Sequence, residues 1–199
     1  MMIPKTEITN GPGAVVDGKE TELKLEQERV CIQPKTLELL QEQIKHELFA
    51  ERLYLSISTW CDCKGLTETA EFYETHSKEE HKHAMRFVKF IQKRGEHALF
   101  PDTEQPVQEF ESIQEAVAAS LDHEYFITDK IKTLYKTACD EGDYLAKEHA
   151  REFIVEQIEE EQLFLSLSRW LDVCGDSMAD FEMEVMHIHK RKKHLIGEL

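Results

Sequence analysis

Apolar side chains recur at steps of three and four residues through four long stretches of the chain, the spacing of one face of an α-helix. Leu37, Leu40, Ile44, Leu48 and Leu55 mark the first stretch, from Pro34 to about Cys63. Pro34 suits a first helical turn, where its missing N–H costs nothing. Gly65 ends this helix, and Thr67 is placed to cap the next, which runs to Gly95 with Phe72, Phe87, Phe90 and Ile91 inward. Residues 95–111 hold Gly95, Pro101 and Pro106 without periodicity, the mark of a long connection. Ser112-x-x-Glu115 is a capping box that opens a third helix with the stripe Ile113, Val117, Leu121, Ile127, Ile131, Leu134. Gly142 stops it. Asp143 is placed to cap a fourth helix with Ala146, Ala150, Phe153, Phe164, Leu167 and Leu171 inward. After Gly175 a weaker box, Ser177-x-x-Asp180, opens a shorter fifth helix that ends in the basic run Lys190-Arg191-Lys192-Lys193.

Four helices of about 30 residues each span about 45 Å by helical rise. Short links make the first and second, and the third and fourth, antiparallel hairpins, while the middle connection can cross the full length of a bundle. The pattern predicts an all-α fold: a ferritin-like four-helix bundle with one long crossover connection plus a short fifth C-terminal helix. Residues 1–33, with Gly11-Pro12-Gly13, Gly18 and weak periodicity, form an N-terminal extension. Residues 34–175 form the bundle, and 176–199 the fifth helix and basic tail.

Composition narrows the function classes. Against 40 Asp and Glu stand 24 Lys and Arg, a formal net charge of −16. Phosphate binding draws on a basic surface, so no nucleic-acid partner is expected; anionic membranes would repel the chain. No stretch approaches the ~20 apolar residues of a membrane span, and Met1 to Gly18 lacks the basic start and apolar run of a secretory signal. The odd, scattered cysteines Cys31, Cys61, Cys63, Cys139 and Cys174 do not make a disulfide framework and are expected as reduced thiols in a cytoplasmic protein.

The chemistry lies where the apolar stripes are interrupted. Glu47 and Tyr54 fall on the inward face of the first helix. Phe72, His76, Glu80, His83 and Phe87 form one stripe of the second, Glu124 interrupts the third, and Gln157 and Glu160 the fourth. A carboxylate in a bundle core is costly unless paired or metal-bound. With no basic residue on the same stripes, Glu47, Glu80 and Glu124 would repel one another unless a multivalent cation sat between them. Glu80-x-x-His83 presents a carboxylate and an imidazole on one face, and Glu80 and Glu160 are candidates to share a pair of ions. Oxygen-rich ligands with a few imidazoles suit iron or manganese.

These residues resemble the ferritins, specifically the non-haem bacterial type, from about residue 34 to 175. The resemblance is carried by Glu47-Leu48-Phe49 with Tyr54 and Trp60-Cys61, by His76-x-x-Glu79-Glu80-x-x-His83, by Glu124 before Ile127-Thr128-x-Lys130-Ile131, and by Glu156-Gln157-x-Glu159-Glu160-Glu161-x-Leu163-Phe164. It implies a di-iron ferroxidase centre with Glu47, Glu80 and His83 on the first iron and Glu80, Glu124, Gln157 and Glu160 on the second. Glu79, Glu156 and Glu159 resemble an additional iron site, and Tyr54 the tyrosine kept beside the centre. The implied function is iron storage and detoxification: oxidation of Fe(II) by O2 or H2O2, and storage of Fe(III) as a mineral inside a 24-subunit homo-oligomeric cage.

The chain departs from the pattern of the family it resembles in places. Bacterioferritins and most di-iron oxidases carry Glu-x-x-His where this chain has Gln157-x-x-Glu160, so a more weakly held second ion is expected. His81 replaces the methionine that ligates haem in bacterioferritins, so no such haem is implied. Lys147 and Ala150 occupy positions that are acidic in the three-fold channel of animal ferritins, so an acidic entry channel of that kind is not implied; Asp140, Glu141 and Asp143 nearby are the candidates to substitute. His187, His189 and His194 are candidates to line a four-fold channel. The alternative function is a soluble di-iron oxidase or peroxidase-type enzyme without mineral storage, which would be expected to carry a second Glu-x-x-His.

Overall fold

The computed structural model describes residues 31–196, with side chains to Lys190. Five helices follow one another: α1 Pro34–Cys63, α2 Thr67–Lys93, α3 Ile113–Asp140, α4 Tyr144–Cys174 and α5 Met178–Ile196, with no strand among the described residues. Residues 1–30 of the extension and the side chains of the basic tail from Arg191 onward, His194 included, lie outside the described residues. Helices α1 and α2 pack as one hairpin and α3 and α4 as the other; α1 lies against α3, and α5 against α2 and α4. This is the ferritin-like bundle that the periodicity predicts.

The helix boundaries have local causes. Gly65 takes a φ of 79° and Gly142 one of 74°, the left-handed conformation that closes a helix. At the end of α1 the Leu66 amide donates to the Cys61 carbonyl at 3.0 Å and Gly65 to Asp62 at 3.0 Å. Ser112 caps α3 by accepting from the Glu115 amide at 3.2 Å, while the Glu115 carboxylate takes the Glu111 amide at 2.6 Å. Asp143 caps α4 through the Ala146 amide at 3.1 Å and holds Arg94, at the end of α2, in a buried two-pronged pair of 3.0 and 3.2 Å.

Thr67 does not cap α2. It is already the first helical residue, Leu66 occupies the cap position, and no local side chain serves the first amides. Glu182 of α5 does so instead, accepting from the amides of Glu68 at 2.8 Å and Thr69 at 3.1 Å and from the Thr69 hydroxyl. The start of α1 repeats the device: Gln33 offers no cap, and Glu141 takes the amide and hydroxyl of Thr36 at 2.9 and 2.7 Å. Leu55 also departs from expectation. It is exposed, and the buried face there is made by Leu53, Tyr54 and Ile57.

The crossover between α2 and α3 runs along α1. Gln41 donates to the His97 carbonyl at 3.3 Å, Arg52 to the Thr103 hydroxyl, and Ser56 to the Val107 carbonyl at 2.8 Å. Two apolar clusters fill the interior. One gathers Tyr54, Tyr73, Phe72, Val117, Phe164 and Phe181; the other gathers Leu40, Ile44, Phe87, Ile131 and Phe153.

Candidate metal centre

Along each of the four long helices the chain passes from one apolar cluster to the other through a polar stretch. On α1 it lies between Ile44 and Ala50, on α2 between Tyr73 and Phe87, on α3 between Val117 and Ile127, and on α4 between Phe153 and Phe164. The result is a buried polar layer holding Glu47, His76, Glu80, Glu124, Gln157 and Glu160, each under one tenth exposed. His83, half-buried, closes one side.

Glu47 of α1 meets Glu80 and His83 of α2. Each of the three offers one ligand atom, and these atoms lie within 4.8 Å of one another, the one such set among the described residues. His83 Nδ1 lies 3.0 Å from Glu80 Oε2 and 3.9 Å from Glu47 Oε2. Gln43, one turn back on α1, donates to Glu47 Oε1 at 2.8 Å and so orients that carboxyl. Across the layer, Glu124 of α3 accepts from the Tyr54 hydroxyl and, at 2.9 Å, from Gln157 Nε2 of α4. The Gln157 amide also reaches the Thr128 hydroxyl at 3.3 Å.

Electrostatics mark the layer as short of positive charge. Burial, then the neighbouring Glu80 carboxylate, pushes Glu47 up to about 8. Burial and Glu160 raise Glu124 as well, against the hydrogen bonds from Tyr54 and Gln157. The Tyr54 phenol is driven well above its ordinary value by burial and by Glu124 and Glu80. Carboxyls in this condition keep protons that a divalent cation would displace, so metal binding here releases protons. Oxygen ligands from four helices with one imidazole suit a hard or borderline ion such as iron.

The remaining residues fall in three groups. Glu79, Glu156 and Glu159 do not converge on one another. Glu79 lies 3.8 Å from His76 Nε2, Glu156 is paired with Arg86 of α2, and Glu159 is exposed. His81 is exposed, 3.3 Å from Glu51. Of the acidic residues near the start of α4, Asp140 pairs with Lys136 at 2.6 Å, while Glu141 and Asp143 are the helix caps described above. His187 is exposed on α5; His189 is buried, with Nε2 3.1 Å from the Thr75 hydroxyl.

Two side chains gain importance in the structure. His76 Nδ1 sits 2.9 Å from the Phe72 carbonyl, which can only accept, so Nδ1 carries a proton and donates it. That bond aims Nε2 between Glu79 and Glu160, at 3.8 and 3.9 Å. Its place on the stripe of Glu80 and His83 was the available signal. Arg86 lies over the Phe153 ring at 4.0 Å and reaches Glu156 and Glu152. Nothing along α2 points to that pairing, because both acids belong to α4.

Known proteins share this arrangement of helices. The model of the ferritin-like domain family matches residues 37–170. A probable bacterial non-heme ferritin-like protein of Haemophilus influenzae is 34% identical over 140 residues, 70% of this chain and 85% of that protein. The bacterial non-heme ferritin of Campylobacter jejuni is 32% identical over 142 residues, 71% of this chain and 85% of its own length. Among solved structures, the open pore ferritin of the hyperthermophilic archaeon Archaeoglobus fulgidus superposes with a TM-score of 0.76 at 28% identity, covering 78% of this chain and 96% of that one.

Proposed function

Because the chain belongs to the ferritin family, we propose that it oxidises Fe(II) at an intra-subunit di-iron ferroxidase centre and stores the Fe(III) product as a mineral inside a protein cage. The observation that carries this reading is the convergence of Glu47, Glu80 and His83 in a buried layer where Glu47 and Glu124 are held above their ordinary range. Iron is the substrate. One Fe(II) binds Glu47, Glu80 and His83; the second binds Glu80, Glu124, Gln157 and Glu160. Each gives one electron to O2 or H2O2, and the carboxyls that bound the ions give up their protons.

The protein's own groups hold the substrates and let the product go. Gln43 and Tyr54 orient Glu47 and Glu124. Gln157 is neutral, so the second position carries less negative charge than a fourth carboxylate would give it, which favours release of the oxidised ion. Glu79, Glu156 and Glu159 receive iron leaving the centre, with Glu156 exchanging its partner Arg86 for the ion. The cage is a 24-subunit homo-oligomer working in the cytoplasm.

Aerobic addition of Fe(II) to the purified protein tests this reading, followed by ferric absorbance and particle size. Retention of hundreds of irons per large assembly is expected. A monomer or dimer that oxidises no more than two irons per chain would overturn storage.

A further inference from the structure

Lys45, His46 and Phe49 of α1, His123 and Phe126 of α3, and Glu104 of the crossover line a cavity of about 260 Å³. It is separate from the polar layer, because none of its lining residues is among the groups that meet there. Four of the six are rings set against one another. His46 meets Phe126 edge-on at 4.9 Å, His123 stacks on Phe126 at 5.8 Å, and Phe49 lies 5.2 Å from His123. His46 Nε2 and His123 Nε2 are both buried and have no hydrogen-bond partner within the protein.

We propose that this cavity binds a planar aromatic or heteroaromatic molecule of one or two fused rings that carries an anionic group. The size is right for a ligand smaller than most drugs, whose pockets run from about 300 Å³ upward. The aromatic walls supply ring faces and edges against which a flat ligand packs in offset or edge-on geometry. The imidazoles supply the polar specificity. An unpaired buried nitrogen costs free energy, and a ligand edge with a donor or acceptor removes that cost.

Charge selects the anion. Lys45 lines the cavity, and Lys130 places its ammonium 5.0 Å from the Phe126 ring. Glu104 is the single acid in the lining. A metal ion is a poor occupant, because His46, His123 and Glu104 do not form a set of converging ligand atoms.

Indole-3-carboxylate is the probe, titrated by calorimetry and by saturation-transfer NMR against the wild type, His46→Leu/His123→Leu and Lys45→Glu. Saturable binding of one molecule per chain is expected in the wild type. The leucine pair and Lys45→Glu should each weaken it by about tenfold, a loss of about 1.4 kcal/mol. Cyclohexanecarboxylate, which lacks the ring system, and indole, which lacks the charge, should bind more weakly than the probe. Leucine replaces each ring with apolar bulk, and Lys45→Glu alters only the half-exposed rim, so the second variant stands even if the first folds poorly. Absence of saturable binding, or equal affinity in the wild type and Lys45→Glu, would overturn the proposal. None of these readouts involves iron, so the result is independent of the ferroxidase reading.

Discussion

Tyr54 donates its phenolic hydrogen to Glu124, joining α1 to α3 across the boundary between the aromatic cluster and the polar layer. The bond connects a fully buried ring to a carboxyl that burial and Glu160 hold above its ordinary range. Removing the hydroxyl leaves Glu124 with the Gln157 amide as its remaining side-chain donor among those described. Tyr54→Phe should therefore cost about 1–3 kcal/mol of stability, the range for a buried hydrogen bond to a charged or partly charged group. Urea denaturation of the metal-free protein measures it, and an unchanged midpoint would mean that the contact contributes nothing.

The raised carboxyls predict an unusual pH dependence for the metal-free protein. Glu47 titrates near 4.5 in the ordinary case and at about 8 when folded, chiefly through burial and then through Glu80. Between those values the folded state binds the extra proton, so stability falls as pH rises. The contribution is complete below the ordinary value and is lost as pH climbs through about 8. Glu124 acts in the same direction. Melting temperature should drop from about pH 6 to about pH 9, and Glu47→Gln with Glu124→Gln should flatten that limb. Thermal melts without metal decide it; a slope that survives the double substitution assigns the effect to other groups.

Loss of a proposed ligand should affect oxidation before architecture. Glu80→Ala and His83→Ala each remove one of the three converging groups, and rapid Fe(II) oxidation is expected to slow by about tenfold or more, the scale on which metal-site substitutions act. Assembly size by light scattering should remain as in the wild type. Collapse of the assembly in either variant would identify these side chains as structural.

Glu182 serves the start of α2 from a position more than one hundred residues away. Glu182→Ala should destabilise the protein by about 0.5–2 kcal/mol, as loss of a helix N-cap does. Hydrogen exchange should rise at the amides of Glu68 and Thr69 ahead of the rest of α2. Uniform protection along the helix would argue that water replaces the carboxylate without cost.

Much of this was legible in the chain because the deciding signals are local. Pro34, the Ser112 box, Asp143 and Gly175 each act within a turn of where they stand, and Glu47, Glu80, Glu124 and Glu160 interrupt stripes that the sequence itself displays. The hidden features all pair residues from separate elements. Thr67 looked like a cap, yet the amides it should serve are taken by α5. Arg86 meets its acids only when α2 lies beside α4, and the His46–His123 cavity exists only once α1, α3 and the crossover are assembled. Leu55 kept a helical interval from Leu48, but it lies beside Tyr54, which takes the inward position.

The two borrowed caps also bear on the order in which the chain folds. The α1–α2 hairpin is the first half of the bundle to leave the ribosome, and the carboxylates that close its helix starts, Glu141 and Glu182, are among later residues. At a synthesis rate of about 5–20 residues per second, the wait between Thr69 and Glu182 is about ten seconds. Until Glu141 and Glu182 are made the nascent hairpin has open amides at its two helix starts, and until α3 and α4 follow it lacks the second hairpin that packs on it. The last of these closures waits for Glu182, beyond the second hairpin, so a ribosome stalled before that residue holds an α2 whose first amides are still open.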